Sequence, residues 1–349
     1  MPLQRRVVVV HRRTELDELL DRHATRGQAE FFLRTRGRTL AAVQERHDAV
    51  SEARARVASA IPEGWRRADV ERADLGRFLV APEDVVVVVG QDGLVANVAK
   101  YLTHQPVLGV DPEPGTNAGA LVRLDVTAAV RLLTRAGRVG STPGGTGPGN
   151  PRPDGATPLD DLGWRTEDLT TVVAHLDDGQ HLSALNEVFV GHPSHQSARY
   201  RIAADGPGGG RGAGGERGGR DERGAVGGRG SVPGSVRRER QSSSGVIVAT
   251  GAGATGWCAS IARERGGRRL PAPTDPLLAW FVREAWPSPA TGADLTEGLL
   301  DASGELRLTV ESDQLVVFGD GVESDRLVAT WGQEIAVRVG EDRLRLVIG

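Results

Sequence analysis

Unbroken apolar runs alternate with amphipathic stretches through the first 130 residues. "RRVVVV" (5–10) has the pattern of a buried strand, and Thr14 stands as an N-cap before the helical "ELDELLDRH". Residues 38–60, "RTLAAVQERHDAVSEARARVASA", carry apolar positions at helical spacing. "EDVVVVVG" (83–90) is a second strand, followed by the helix-like "LVANVAKYL", and "QPVLGVD" (105–111) is a third. Strands that are apolar throughout, interleaved with helices, predict a parallel sheet covered on both faces. From about residue 165 the rhythm changes to short strand-like segments, from "TTVVAHL" and "ALNEVFVG" through "QLVVFGDG" to "RLRLVIG". The expected fold is therefore an α/β Rossmann-like N-terminal domain over 1–130 and a β-rich C-terminal domain over 165–349.

Two stretches interrupt this pattern. Residues 138–158 and 205–239 are rich in Gly and Pro and nearly free of large apolar side chains, so they cannot bury enough surface to offset the entropy of ordering. The first makes 131–164 a flexible linker, and the second is a disordered insertion in the β-rich domain. The insertion's Arg-Gly repeats resemble RNA-binding tails, but Glu216, Asp221 and Glu222 dilute the charge and no aromatic residue is present to stack on bases. With a formal net charge of −3, the chain lacks the basic field of a nucleic-acid or anionic-membrane binder. No apolar run is long enough to span a bilayer, and the N-terminal apolar segment is too short for a secretory signal. The expectation is a soluble, cytoplasmic protein. Cys258, the only cysteine, excludes an intrachain disulfide and reads as a small core residue. His192 and His195 have near-metal spacing but no further ligand, and no metal site is assigned to side chains. Trp280, Phe281 and Trp286 read as core or interface residues.

Two glycine-containing segments carry candidate chemistry. In "VVVVVGQDGLVANVAKYL" a strand ends in Gly90-Gln91-Asp92-Gly93 and restarts as a helix, which places a carboxylate and backbone N–H groups at the carboxyl edge of a parallel sheet. Asp-Gly is also simply a favourable turn and helix start. "GVIVATGAGATGW" (245–257) matches G-x-G-x-x-G literally, but a dinucleotide-binding βαβ unit needs a second strand ending in an acidic residue. After Gly256 the chain continues "WCASIARERGGRRLPAPTDP", with Asp275 between prolines, so the hydride-transfer reading loses its context.

Taken in order, Gly90-Gln91-Asp92-Gly93, "PVLGVD", "ALNEVFVG" and "SSSGVIVATGAGATGW" resemble the motif series of the NAD kinase family: a GGDG loop, a PVLGVN strand, an NE pair and a TGS-containing loop. The last two look most like mitochondrial-type NAD kinases and related bacterial proteins labelled sugar kinases. The resemblance implies an NAD kinase/diacylglycerol kinase-like fold, with a phosphate-donor domain over 1–130, an acceptor-binding domain over 165–349 and the active site between them. It also implies ATP with a divalent metal, Mg²⁺, and phosphorylation of NAD at the adenosine 2′-hydroxyl to give NADP. A homo-oligomer is compatible with it.

Carried over by position, Asp92 would face the acceptor hydroxyl as the catalytic residue, and Gly90, Gln91 and Gly93 would line the phosphate path. Asn186 and Glu187 would hold the acceptor's ribose region. Gly253 and Thr255 would wall the acceptor adenine pocket, with Trp257 where the family has tyrosine, and Asp320-Gly321 resembles a late DG turn. Three positions depart from the series. Gln91 stands for the second glycine of GGDG, Leu94 for a threonine at the helix start, and Asp111 for the asparagine of PVLGVN. These departures keep two alternatives open: a kinase of the same superfamily acting on a sugar, polyol or other small hydroxyl-bearing metabolite, and a noncatalytic nucleotide-binding protein.

Overall fold

The computed structural model describes residues 5–115, 119–139, 162–204, 236–267 and 269–349. The chain divides into two compact units, one of Met1–Leu169 with Asp342–Gly349 and the other of Thr170–Glu341.

The first unit contains, in order, β1 (Arg6–His11), α1 (Glu15–His23), α2 (Arg26–Arg34), α3 (Leu40–Ser59), β2 (Arg66–Glu71), β3 (Val85–Val89), α4 (Asp92–Ala99), β4 (Pro106–Asp111), β5 (Leu124–Asp125) and α5 (Val126–Val139). Its strands lie in the order β2, β1, β3, β4, β5, all parallel. All five valines of β3 are buried, as the unbroken run predicts for a central parallel strand. On one face Val7, Val9, Val85, Val87, Val89, Leu108 and Val110 pack against Ala53 and Val57 of α3 and Ala129 and Leu133 of α5. Thr14 caps α1 in a capping box: its side chain accepts from the Asp17 N–H, and the Asp17 carboxylate accepts from the Thr14 N–H. Helix α5 runs on to residue 139, so the segment expected to be linker from 131 begins as helix.

The second unit is built from β6 (Thr166–Leu176), which starts in the first unit, then β7 (His181–Ala184), β8 (Glu187–Gly191), β9 (Ala198–Ala204), β10 (Arg237–Ser243), β11 (Gly245–Ala249), α6 (Trp257–Glu264), β12 (Leu278–Arg283), β13 (Glu297–Leu300), β14 (Leu306–Val310), β15 (Gln314–Gly319), β16 (Arg326–Thr330) and β17 (Glu334–Val347). An antiparallel sheet runs β13, β12, β11, β8, β15, β16. β10, β9, β14 and the start of β17 form a second antiparallel set. Side chains from both sets, among them Val188, Val190, Val246, Val248, Trp280, Tyr200, Ile202, Leu306 and Leu308, fill one core. The alternation in "ARYRIAA" follows from this: Ala198, Tyr200 and Ile202 point inward while Arg199 and Arg201 face water.

Three expectations need correction. The final residues Asp342–Gly349 belong to the first unit, where Arg345 and Leu346 of β17 pair in parallel with Pro106 and Val107 of β4, so the β-rich part does not run unbroken from 165 to 349. Residues 237–239, placed in the insertion, are the first residues of β10; 205–235 and 140–161 lie outside the described residues. Trp280 and Phe281 are core residues as expected, but Trp286 is exposed.

Candidate active site

In the first unit, β3 and α4 meet at Gly90-Gln91-Asp92-Gly93. Gln91 is the N-cap of α4 and makes no side-chain capping bond, so the helix start carries N–H groups uncovered by any cap. A Cβ on Gly93 would meet nothing within 4 Å, whereas one on Gly90 would come to 3.1 Å from Leu94 Cδ2. The helix start is thus open at Gly93 and close-packed at Gly90. Leu94, the departure from a hydroxyl residue, is buried and packs inward.

Asp92 does more than start a helix. Its Oδ2 accepts the Ala120 N–H at 2.7 Å, and its Oδ1 accepts the Leu121 and Val122 N–H groups, both at 2.9 Å. A carboxylate has about four acceptor directions, so one on Oδ2 is left for another donor. Three consecutive N–H groups can reach one carboxylate only because the 119–122 backbone lies against β4. A Cβ on Gly109, the glycine of "PVLGVD", would sit 3.0 Å from the Leu121 carbonyl carbon and from Val122 Cα. The glycine of one motif therefore seats the loop that the aspartate of the other holds. Asp111 turns back locally, its Oδ1 accepting the Glu113 N–H at 2.9 Å.

The second unit holds Asn186, Glu187, Gly253, Thr255 and Trp257. Thr250, fully buried at the end of β11, is the hub. Its N–H donates to the Asn186 carbonyl at 2.9 Å and its Oγ1 to the Leu185 carbonyl at 2.6 Å, while Oγ1 accepts from the Ala252 and Gly253 N–H groups at 3.1 and 3.4 Å. Asp320, at φ 54°, holds the same turn from the other side, its carboxylate accepting the Leu185 and Asn186 N–H groups at 3.1 and 2.7 Å. Asn186, Glu187 and Gly253 are thus brought together by direct packing. Thr255 and Trp257 lie on the exposed side of the turn, where Trp257 stacks on Phe189, ring centroids 5.9 Å apart, beneath the Arg283 guanidinium at 4.5 Å. Helix α6 leads to β12, which runs antiparallel to β11, so the glycine turn is not part of a parallel βαβ unit.

The electrostatics centre on Glu187. Burial, and secondarily the nearby Asp320 charge, push its carboxyl up to about 7. Burial and the charge of Glu187 push the Cys258 thiol up to about 12, consistent with an inert core residue. Among the described residues no group of three or more His, Cys, Asp or Glu is placed to hold a metal ion. No described helix is long and apolar enough to cross a membrane.

No family model and no curated protein matches the chain. Among solved structures it is similar to yeast NADH kinase in complex with NADH, at a TM-score of 0.53 and 13% identity, over 100% of this chain and 84% of that one. The fold is NAD-kinase-like. At this identity the likeness concerns the course of the backbone and not the chemistry of individual side chains.

Within that NAD-kinase-like fold, Thr250 escapes a reading of the sequence although it opens "TGAGATG", and Asp320, singled out there only as part of a DG turn, is an anchor through its bonds to Leu185 and Asn186. A signal exists for Asp320: an aspartate before glycine at the end of an apolar strand, repeating the Val89 to Gly93 pattern. Gly253 has a specific structural task, since a Cβ there would stand 2.7 Å from the Asn186 carbonyl carbon. Gly253→Val is therefore expected to lower stability by about 1–3 kcal/mol, the scale of overpacking, and to weaken any ligand at Asn186 through displacement of that backbone. A thermal melt checks this; an unchanged melting temperature would show that the turn can yield.

Proposed function

We propose that the protein is a kinase that transfers the γ-phosphoryl group of ATP to a hydroxyl of a dinucleotide acceptor, NAD or NADH, at the adenosine 2′ position. The observation that carries this reading is Asp92, held at the carboxyl end of β3 beside an uncapped helix start, in a chain whose fold is like that of yeast NADH kinase. The α4 N-terminus and the open backbone at Gly93 suit phosphate oxygens, which helix N-termini stabilise through their N–H groups and dipole. The residues fit ATP in this respect.

In the proposed reaction the free acceptor direction of Asp92 Oδ2 takes the hydrogen bond of the attacking hydroxyl. It orients that hydroxyl in line with the γ-phosphate and receives its proton as the new P–O bond forms and the bond to the β-phosphate oxygen breaks. Gly90, Gln91 and Gly93 flank the phosphate path, and Gln91, exposed, presents its side chain there. Asn186 and Glu187 hold the acceptor ribose, and Gly253, Thr255 and Trp257 border its base. Mg²⁺, entering with the triphosphate, would supply positive charge to offset that of the phosphates, and it would be held mainly by the nucleotide, since no described cluster of carboxylates or histidines is placed to bind it. Most of the rate enhancement then comes from positioning.

The three backbone bonds to Asp92 favour one alternative, a noncatalytic protein in which the aspartate only fastens the 119–122 loop. Gln91 and Asp111 favour another, a kinase for a sugar or polyol. Incubation with labelled ATP and Mg²⁺ and a panel of NAD, NADH, sugars and polyols separates the three. Label in NADP or NADPH is the expected result. Label only in a sugar or polyol would replace the acceptor, and nucleotide binding without transfer to any of the panel would remove the kinase reading.

A further inference from the structure

Helices α1, α2 and the start of α3 pack around Leu16, Leu19, Ala29, Leu33 and Val43, a small core separate from that of the sheet. On this lobe the end of α1 and one face of α2 border an open cavity of about 630 Å³, lined in part by Arg22, His23, Gly27, Gln28, Phe31 and Arg36. That volume suits a small organic ligand. None of these elements carries a residue of the Asp92 loop or of the Asn186 turn.

The charge of the lining is one-sided. It contains two guanidiniums and an imidazole and no carboxylate. Elsewhere on the lobe Arg12 pairs with Glu18, Arg13 with Asp21, and Arg38 and Arg46 with Glu15, while Arg26 bonds the neutral Gln44 and Arg34 lies over the Phe31 ring. Among the described residues neither Arg22 nor Arg36 has a carboxylate partner. Arg36 is also held in place, its Nη1 donating to the Phe32 carbonyl at 3.1 Å and to Thr35 Oγ1 at 3.0 Å, with the guanidinium 3.7 Å from the centre of the Phe32 ring. A fixed, uncompensated guanidinium is suited to bind a phosphate dianion, because little side-chain freedom remains to be lost. Beside it Phe31 is 61% exposed, with the Arg34 guanidinium 5.7 Å from its ring centre on one face. His23 stacks near Phe32, ring centroids 4.5 Å apart, and its Nε2 is buried without a hydrogen-bond partner.

We propose that this cavity binds a nucleoside monophosphate, its phosphate held by Arg22 and Arg36 and its base against the face of Phe31 that Arg34 leaves uncovered. Flat rings stack on exposed aromatic side chains irrespective of base identity. The phosphate supplies the charge that the lining lacks. The proposal is independent of the kinase reading, since it uses other residues on other helices.

The test is photolabelling of the full chain with 8-azido-AMP, with the adduct mapped by peptide mass spectrometry. The expected adduct lies within residues 22–36, is suppressed by excess AMP, and is suppressed about tenfold less well by adenosine or by inorganic phosphate alone, the scale of losing one charge-assisted contact. Arg22→Gln should reduce labelling by a similar factor. Gly27→Leu is the second variant: a Cβ there meets nothing within 4 Å, so the new side chain fills the cavity without a clash and the melting temperature should hold while labelling falls. AMP held at the nucleotide site of a kinase would label other peptides and survive Gly27→Leu. The proposal is overturned by labelling of 22–36 that neither substitution reduces, by adenosine competing as well as AMP, or by the absence of any adduct in that segment.

Discussion

Asp92→Asn is expected to lower both turnover and stability. The sequence suggests a turn position that tolerates an amide, but the structure changes that expectation, because both carboxylate oxygens accept backbone N–H groups. An asparagine offers one acceptor and one donor, so its NH₂ must face at least one of the Ala120, Leu121 and Val122 donors and leave it unpaired. The cost is about 1–3 kcal/mol, the scale for an unsatisfied buried polar group. Loss of a general base adds about 100- to 10,000-fold in turnover. These effects separate by comparison with Gly109→Ala, which leaves the Asp92 carboxylate in place and disturbs only the loop it holds. If Asp92 acts on the acceptor, Asp92→Asn loses far more turnover than Gly109→Ala at comparable destabilisation. Equal losses in the two variants would assign Asp92 to the loop alone, and turnover within threefold of the parent in Asp92→Asn would remove it from the reaction.

The same residues show how far the sequence can be read. The apolar runs of β1, β3 and β4, the Thr14 cap and the short strands after 165 are local signals, and local rules suffice for them. The partners of Asp92 lie 28 to 30 positions further along the chain, and those of Asp320 lie 135 and 134 positions away. No periodicity encodes such pairings; they arise when a parallel strand order and an antiparallel sheet bring distant turns together. The return of the last residues to pair with β4 is of the same kind. Gly109 and Gly253 stand out as motif glycines, yet the reason for each is close backbone approach across the fold and not the conformation of its own turn. Helix α2 is short, and its core contacts, through Ala29 and Leu33, depend on packing against α1 and α3.

Glu187→Gln is expected to stabilise the protein at alkaline pH and leave it unchanged in acid. The carboxyl rises from its ordinary 4.5 to about 7 in the folded protein, chiefly because it is largely buried and secondarily because Asp320 is near. Below pH 4.5 the residue is protonated in both folded and unfolded chains, and the two proteins should melt alike. Between 4.5 and 7 the unfolded chain releases the proton that the folded chain retains, so the parent's stability falls as pH rises. Above about 7 the folded protein carries a charge in a poorly solvated place and the penalty is constant. Glutamine is neutral throughout and avoids it. The variant should therefore exceed the parent by about 1–3 kcal/mol at about pH 8, the free-energy equivalent of the shift reduced for partial solvent access. Denaturant melts at about pH 4, 6 and 8 measure the difference. A gap that is flat across this range, or that widens toward acid, would show that Glu187 is ionised in the folded protein at neutral pH. A gap that opens between 4.5 and 7 means that burial of Glu187, with a smaller contribution from Asp320, keeps the carboxyl beside the Asn186 turn protonated through that range.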